Sequence, residues 1–246
     1  MRIENSFIPV QGVGEKTERR LWDDGITHWE AFTPNAVGPT TADRIENYLA
    51  VAQPRLDDGD SRFFGETMPE SDHWRLYENF REDTLFFDIE TTGLSHHANS
   101  VTTVAFHRDG ETRSYVNGRD LTAEAVAEEF ASAKLIASFN GKQFDVPFLE
   151  HEFGIDLDLP HLDLRFLGER LDLRGGLKRV ETVIGIDRDQ PDITGRDAVR
   201  LWHEYERGNE QALETLVSYN RDDARNLEAL ADEVTTRLHD RIFPDP

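Results

Sequence analysis

Asp88 and Glu90 stand two residues apart in FFDIETTGL, among Leu85, Phe86, Phe87 and Ile89. An apolar run of this length ending in turn residues predicts a strand, and a period of two puts both acids on one face. Two unpaired carboxylates on one face of a buried strand are costly unless cations neutralise them. Asp145 in SFNGKQFDVPFL falls where a predicted strand ending at Phe139 meets a helix, so a third carboxylate can face the first two. Tyr219 and Asp223 in SYNRDDARN are four apart on a predicted helix, one turn apart on one face. Asp222 lies about 100° around that helix and is expected to be solvated. Each motif alone also has a plain reading: edge acids facing water, an acid complementing a helix dipole, a charged helix face over a packed tyrosine. Together they offer four carboxylates and a phenol, an oxygen set that favours magnesium or manganese over zinc. His96 and His97 follow the first motif in a polar loop and are read as solvated residues, not zinc ligands.

The elements that must position these groups change in character along the chain. Residues 7–53 carry two similar units, FIPVQGVGEKTERRLWDDGI and FTPNAVGPTTADRIENYLA, each a glycine-containing turn followed by a helical pattern. The spacing predicts helices over Glu15–Asp23, after Gly12, Val13 and Gly14, and over about Thr41–Val51, with Thr40 or Thr41 as N-cap. Residues 54–83 look like a connector that starts at Pro54 and ends in an aromatic stretch whose Trp74, Tyr77 and Phe80 share one helical face, expected to pack and not to stack bases. From Thr84 the pattern turns to strands, TLFFDIE, VTTVAFHR and TRSYVN, then a helix near Thr122–Ala131, the short strand KLIASF, and helices almost to the end. Three strands in a meander and a late strand reached through a helix imply an α/β fold, a mixed sheet flanked by helices and preceded by a small all-α domain.

The chain of 246 residues carries 27 Lys and Arg against 49 Asp and Glu, a net charge of −22, and only four of the bases are lysines. Dense carboxylates suit a salty cytoplasm, where repulsion is screened over roughly 3 Å at 1 M salt. With no cysteine, disulfides, thiolate zinc sites and cysteine nucleophiles are excluded. No apolar run approaches the roughly 18 residues of a membrane span, and MRIENSFIPV lacks the pattern of a signal peptide. A soluble, cytoplasmic protein is expected. Net acidity argues against a polyanionic partner, yet His161–Thr182 holds five bases (Arg165, Arg170, Arg174, Lys178, Arg179) against four acids (Asp163, Glu169, Asp172, Glu181). There Gly175 and Gly176 open a predicted helix beside Lys178 and Arg179, a cradle suited to a backbone phosphate or an ordinary glycine turn. Asp163 is either a support for the acidic cluster or a surface acid.

Asp88, Glu90, Asp145 and Asp223, with Tyr219 one turn before the last, resemble the DEDD exonucleases of the ribonuclease H-like superfamily in their tyrosine branch. FNGKQFDVPFL resembles the second exonuclease motif of family B polymerase proofreading domains. Residues 84–233, with HLDLRFL, GGLKRVE and AVRLWHEY, resemble small stand-alone ribonuclease H-like exonucleases, and the nuclease domain is expected over 84–238. The first 53 residues resemble a tandem helix-hairpin-helix domain, whose second unit here lacks the first glycine of the pair. The resemblance implies 3′–5′ hydrolysis of single-stranded DNA or RNA by two magnesium or manganese ions about 3.5–4 Å apart. It makes Asp88 the bridge between them, Glu90, Asp145 and Asp223 the remaining ligands, and Tyr219 the residue that orients the attacking water. Thr91, Thr92, Asn140, Gly141, Lys178 and Arg179 would then face the substrate, and Gly12 and Gly14 a second phosphate. The competing readings are a catalytically idle nucleic-acid adaptor and a structure-specific endonuclease on the same metal site.

Overall fold

In the computed structural model, which describes residues 1–189 and 193–243, Leu85, Phe87 and Ile89 alternate along β1 (Thr84–Thr91) with Phe86, Asp88 and Glu90. The first set joins Val104, Phe106, Val126, Phe130, Ile136, Phe148 and Leu149 in one apolar cluster. The second set therefore faces the other side of the sheet. β1 pairs antiparallel with β2 (Val101–Arg108), which pairs antiparallel with β3 (Glu111–Val116). On its other edge β1 runs parallel to β4 (Leu135–Ser138), which runs parallel to β5 (His161–Asp163). The mixed five-stranded sheet thus has the order β3-β2-β1-β4-β5. β5 is absent from the sequence reading: three residues are too few to show a period.

The chain divides into two units, residues 82–234 and residues 1–81 with 235–246. In the larger one, α5 (Ala123–Ala131) and α6 (Asp145–Phe153) contribute Val126, Phe130, Phe148 and Leu149 to the cluster under β1. Thr122 caps α5 by accepting from the Ala125 N–H, as its helix-start position requires. The short α7 (Leu164–Glu169) and α8 (Leu177–Ile184) follow β5. α9 (Gly195–Glu206) starts on a Thr194/Asp197 capping box. With α10 (Glu210–Ile242) it forms a second apolar cluster of Ala198, Leu201, Trp202, Leu213, Leu216 and Tyr219 around Val116. α10 covers the acidic face of the sheet: Glu228 pairs with His107 of β2 at 3.0 Å. Among the described residues, no helix is long and apolar enough to cross a membrane.

The smaller unit is helical, with α1 (Glu15–Asp23), α2 (Pro39–Asp57), α3 (Ser61–Thr67) and α4 (Tyr77–Phe80), and with 3-10 turns between α1 and α2 and between α3 and α4. α1 has the expected bounds. α2 starts earlier than expected: Gly38 is the N-cap and Pro39 the first helical residue, because proline has no N–H to lose there. Residues 54–83 hold the end of α2, α3, a 3-10 run over Glu70–Leu76 and α4, and Trp74, Tyr77 and Phe80 are all buried. Glu18 of α1, 1% exposed, is held by Arg75 at 2.8 Å and by the Phe7 N–H at 2.7 Å.

Candidate metal centre

On β1, Asp88 lies opposite Ala105 and Glu90 opposite Thr103 of β2, so small neighbours leave room beside both carboxylates. The register shifts between Glu90 and Thr91, which ends the regular strand at the second acid. Across the sheet face, α10 presents Asp223, and one carboxylate oxygen each from Asp88, Glu90 and Asp223 lies within 4.8 Å of the others. Three acids from positions far apart in sequence are therefore concentrated in one place. Asp145, at the first turn of α6, is 4% exposed and turns one oxygen to the Ile89 N–H at 3.2 Å. It borders the trio through the backbone between Asp88 and Glu90.

The electrostatics show what the cluster lacks. Burial pushes Asp88 up to about 7, against a lowering by the Asn220 hydrogen bond and Arg188. Glu90 is held well above the usual carboxylate range by burial, then by Asp88 and Asp145, with Lys178 and Arg188 offsetting part of this. Asp145 is raised by burial and by Asp88, while the Ile89 N–H works the other way. Buried, mutually repelling, oxygen-only groups of this kind fit hard divalent cations, which supply the missing positive charge.

Tyr219, one turn before Asp223, is 7% exposed and belongs to the α9/α10 cluster. Burial and the nearby Glu90 and Asp88 raise its phenol above the ordinary tyrosine value, so it stays a neutral hydroxyl at neutral pH. Lys178 of α8 sits 5.0 Å from the centre of its ring. The cation of the GGLKRVE motif thus reaches the acidic face, whereas Arg179 is exposed. Gly175, at φ +121°, lies against the Arg179 side chain.

Several residues matter here that carry no motif signal. Asn220, fully buried, donates to the Asp88 carbonyl at 3.0 Å and to its carboxylate at 2.8 Å, which fixes that acid's rotamer. Arg188, 6% exposed on the side chain, bridges Glu181 and Asp223 and lies 5.6 Å from the Tyr219 ring. Asn226 holds the other oxygen of Glu181 at 3.0 Å. Asp222, expected to be solvated, is 2% exposed. The Asp189 N–H, at 3.0 Å, and Arg225, at 2.9 Å, bond its carboxylate, so the segment after α8 covers the face that helix geometry alone leaves open.

The remaining sequence-derived residues are placed as follows. Thr91 donates its hydroxyl to the Gly93 carbonyl at 2.6 Å, and the Thr92 hydroxyl accepts from the Ser100 N–H at 3.1 Å, so both brace the turn after β1. Asn140 adopts φ +67° and accepts from Arg165 at 2.7 Å. A side chain at Gly141 would meet Ser138, and Asp145 at 3.5 Å; the glycine lets this turn close on the acidic cluster. Asp163, 4% exposed, accepts from the N–H groups of Asn140 at 2.8 Å and of Lys142 and Arg165 at 3.2 Å. It supports the strand-to-helix turn that delivers Asp145. In the smaller unit Gly12 takes φ +91° against Arg44, and Gly14 caps α1 with open space beside it.

Residues 85–235, more than half of the chain, match the profile of the RNase_H superfamily. No curated protein matches. The family B DNA polymerase from the hyperthermophilic archaeon Pyrobaculum calidifontis is similar over 61% of this chain and 24% of its own, at 20% identity and a TM-score of 0.53. This chain therefore spans about a quarter of that polymerase's length. A structure described as the apo form of the nuclease is similar over 65% of this chain and 75% of its own, at 22% identity and a TM-score of 0.49. Brucella melitensis NrnC with bound Mg2+ is similar over 67% and 78%, at 19% identity and a TM-score of 0.46. Likeness at such identities concerns the fold.

Proposed function

Because the chain belongs to the RNase_H superfamily over residues 85–235, we propose that it is a metal-dependent 3′–5′ exonuclease that hydrolyses single-stranded DNA or RNA. The observation that carries this reading is the meeting of Asp88, Glu90 and Asp223 within 4.8 Å, bordered by Asp145. In a superfamily built on this sheet, that set would hold two magnesium or manganese ions. Bound there, the ions would supply Lewis-acid charge for the attacking water and for the leaving 3′ oxygen.

The chain's own groups have separable tasks. Asn220 keeps Asp88 in the rotamer that faces the other acids. Tyr219, kept neutral by its surroundings, orients the water through its hydroxyl without competing as a base. Lys178, drawn toward Glu90 and Tyr219, offers a cation to a substrate phosphate. Arg179, Asn140, Gly141, Thr91 and Thr92 line the approach of the strand. Gly12 and Gly14, at the start of α1, serve as a second phosphate contact through backbone N–H groups.

One observation favours a second reading. Arg188 already contacts Asp223, so a resident guanidinium partly satisfies the site, as a catalytically idle nucleic-acid adaptor would require. End-labelled single-stranded DNA and RNA separate the readings. Metal-dependent release of 5′-mononucleotides from the 3′ end, abolished by Asp88→Ala, supports the exonuclease. Internal fragments as first products would make it an endonuclease. Metal-independent binding without cleavage would make it the adaptor.

A further inference from the structure

His96 and His97 lie in the loop between β1 and β2, and His151 lies on α6, yet their three rings meet. Ring centroids are 4.1 Å apart for His96 and His97, 5.5 Å for His96 and His151, and 5.2 Å for His97 and His151. Imidazoles bound to one tetrahedral ion at about 2.0–2.1 Å hold their centroids about 5 Å apart. His96 is the anchored member, half-buried with its edge toward Phe148 at 6.0 Å. His97 and His151 are exposed, and exposed side chains change rotamer within picoseconds to nanoseconds, so both rings can reorient to offer a nitrogen to a shared ion.

The hydrogen bonding sets this trio apart. His28, His73, His107, His161 and His203 each engage a backbone or side-chain partner through a ring nitrogen. Among the described residues, no hydrogen bond or ion pair engages a nitrogen of His96, His97 or His151. Three imidazoles without a carboxylate partner repel when charged. Desolvation, then His97 and His151, hold His96 below the ordinary histidine value. The neutral form of His96, whose free lone pair is the metal ligand, is thereby favoured.

We propose that His96, His97 and His151 form a second metal site, for a late first-row divalent ion such as zinc, nickel or copper, distinct in ligand chemistry from the carboxylate cluster. Imidazole selects such ions, whereas magnesium and manganese take oxygen ligands. An ion there ties the loop that follows Glu90 to the helix that begins at Asp145. Glu152, next to His151, already ties α6 to the first residue of β2, where that loop ends, by accepting the Val101 N–H at 2.7 Å. The site does not depend on the nuclease reading.

Tag-free full-length protein, with magnesium saturating the carboxylates, is titrated with zinc and with nickel by calorimetry. The expected result is one equivalent bound at micromolar or better affinity, weakened tenfold or more by His97→Gln and by His151→Gln. Both variants should keep the metal-free melting temperature and the wild-type manganese affinity, since both side chains are exposed. Cobalt should give visible absorption bands in the wild type that His151→Gln loses. Binding of zinc and nickel that is unchanged in both variants would place these ions on carboxylates and overturn the proposal, as would no binding in excess magnesium.

Discussion

Replacing Asp88 by asparagine should stabilise the metal-free protein while weakening its response to metal. The side chain keeps its shape and can still accept from Asn220, so the change removes charge and little else. Asp88 is raised from 3.8 to about 7, and at about 1.4 kcal/mol per tenfold this sets a ceiling near 4 kcal/mol on the cost of its ionisation at pH 8. Because Arg188 and the neighbouring acids share that field, we take about half, ~2 kcal/mol, or a melting temperature higher by about 4–8 °C for a chain of this size. The sign follows from linkage: an acid whose folded pKa is raised holds its proton longer in the folded state. Stability is therefore present below about pH 4 and lost as the pH rises through about 7. The gap between variant and wild type should shrink to about half at pH 5.5. Thermal melts at high salt in chelator, at pH 8 and pH 5.5, measure both quantities. Magnesium at a hundred times its dissociation constant should add about 2.7 kcal/mol to the wild type and much less to the variant. A variant no more stable than wild type at pH 8, or an equal gap at both pH values, would refute the argument that these acids need cations.

Other perturbations follow from the same geometry. Arg188→Met frees Asp223 from its guanidinium contact. At about 1.5–3 kcal/mol for a charge-assisted bond, calorimetry should show manganese affinity raised by roughly 10- to 100-fold; unchanged affinity would mean that Arg188 does not compete for the site. Tyr219→Phe should lower kcat about 10- to 100-fold, below the range of full general acid–base catalysis, with manganese affinity and KM unchanged; a loss of metal binding would make the tyrosine structural. Asp163→Ala leaves three N–H groups of the turn without their acceptor. It should cost about 1–3 kcal/mol in denaturant melts, partly restored in Asp163→Asn, and a neutral result would show that the turn holds itself.

The sequence was most legible where local periodicity determines position. Alternation along TLFFDIE set Asp88 and Glu90 on one face, and the four-residue step from Tyr219 to Asp223 set both on the inner side of α10, as found. Glycine and threonine marked the starts of α1 and α5. What stayed hidden depends on segments meeting across long separations. Asn220 gains its part only because α10 lies over β1, 132 residues away in sequence. Arg188 follows a helix end at Gly185, where no period points it toward Asp223. The burial of Asp222 likewise depends on the Asp189 backbone and not on its angle around the helix. Helix geometry gave its direction, and tertiary packing decided its solvent contact. The His96, His97 and His151 rings were unreadable together for the same reason, since α6 folds back onto the loop after β1.

Most directly, the central claim is tested by following release of the 3′-terminal nucleotide from a single-stranded oligonucleotide as manganese is titrated into chelator-treated protein at high salt. Wild-type protein should be silent in chelator and gain rate with close to the second power of free manganese before saturation, and Asp88→Ala and Asp223→Ala should stay silent throughout. Release that persists in chelator, or that survives either substitution, would contradict catalysis at this carboxylate cluster.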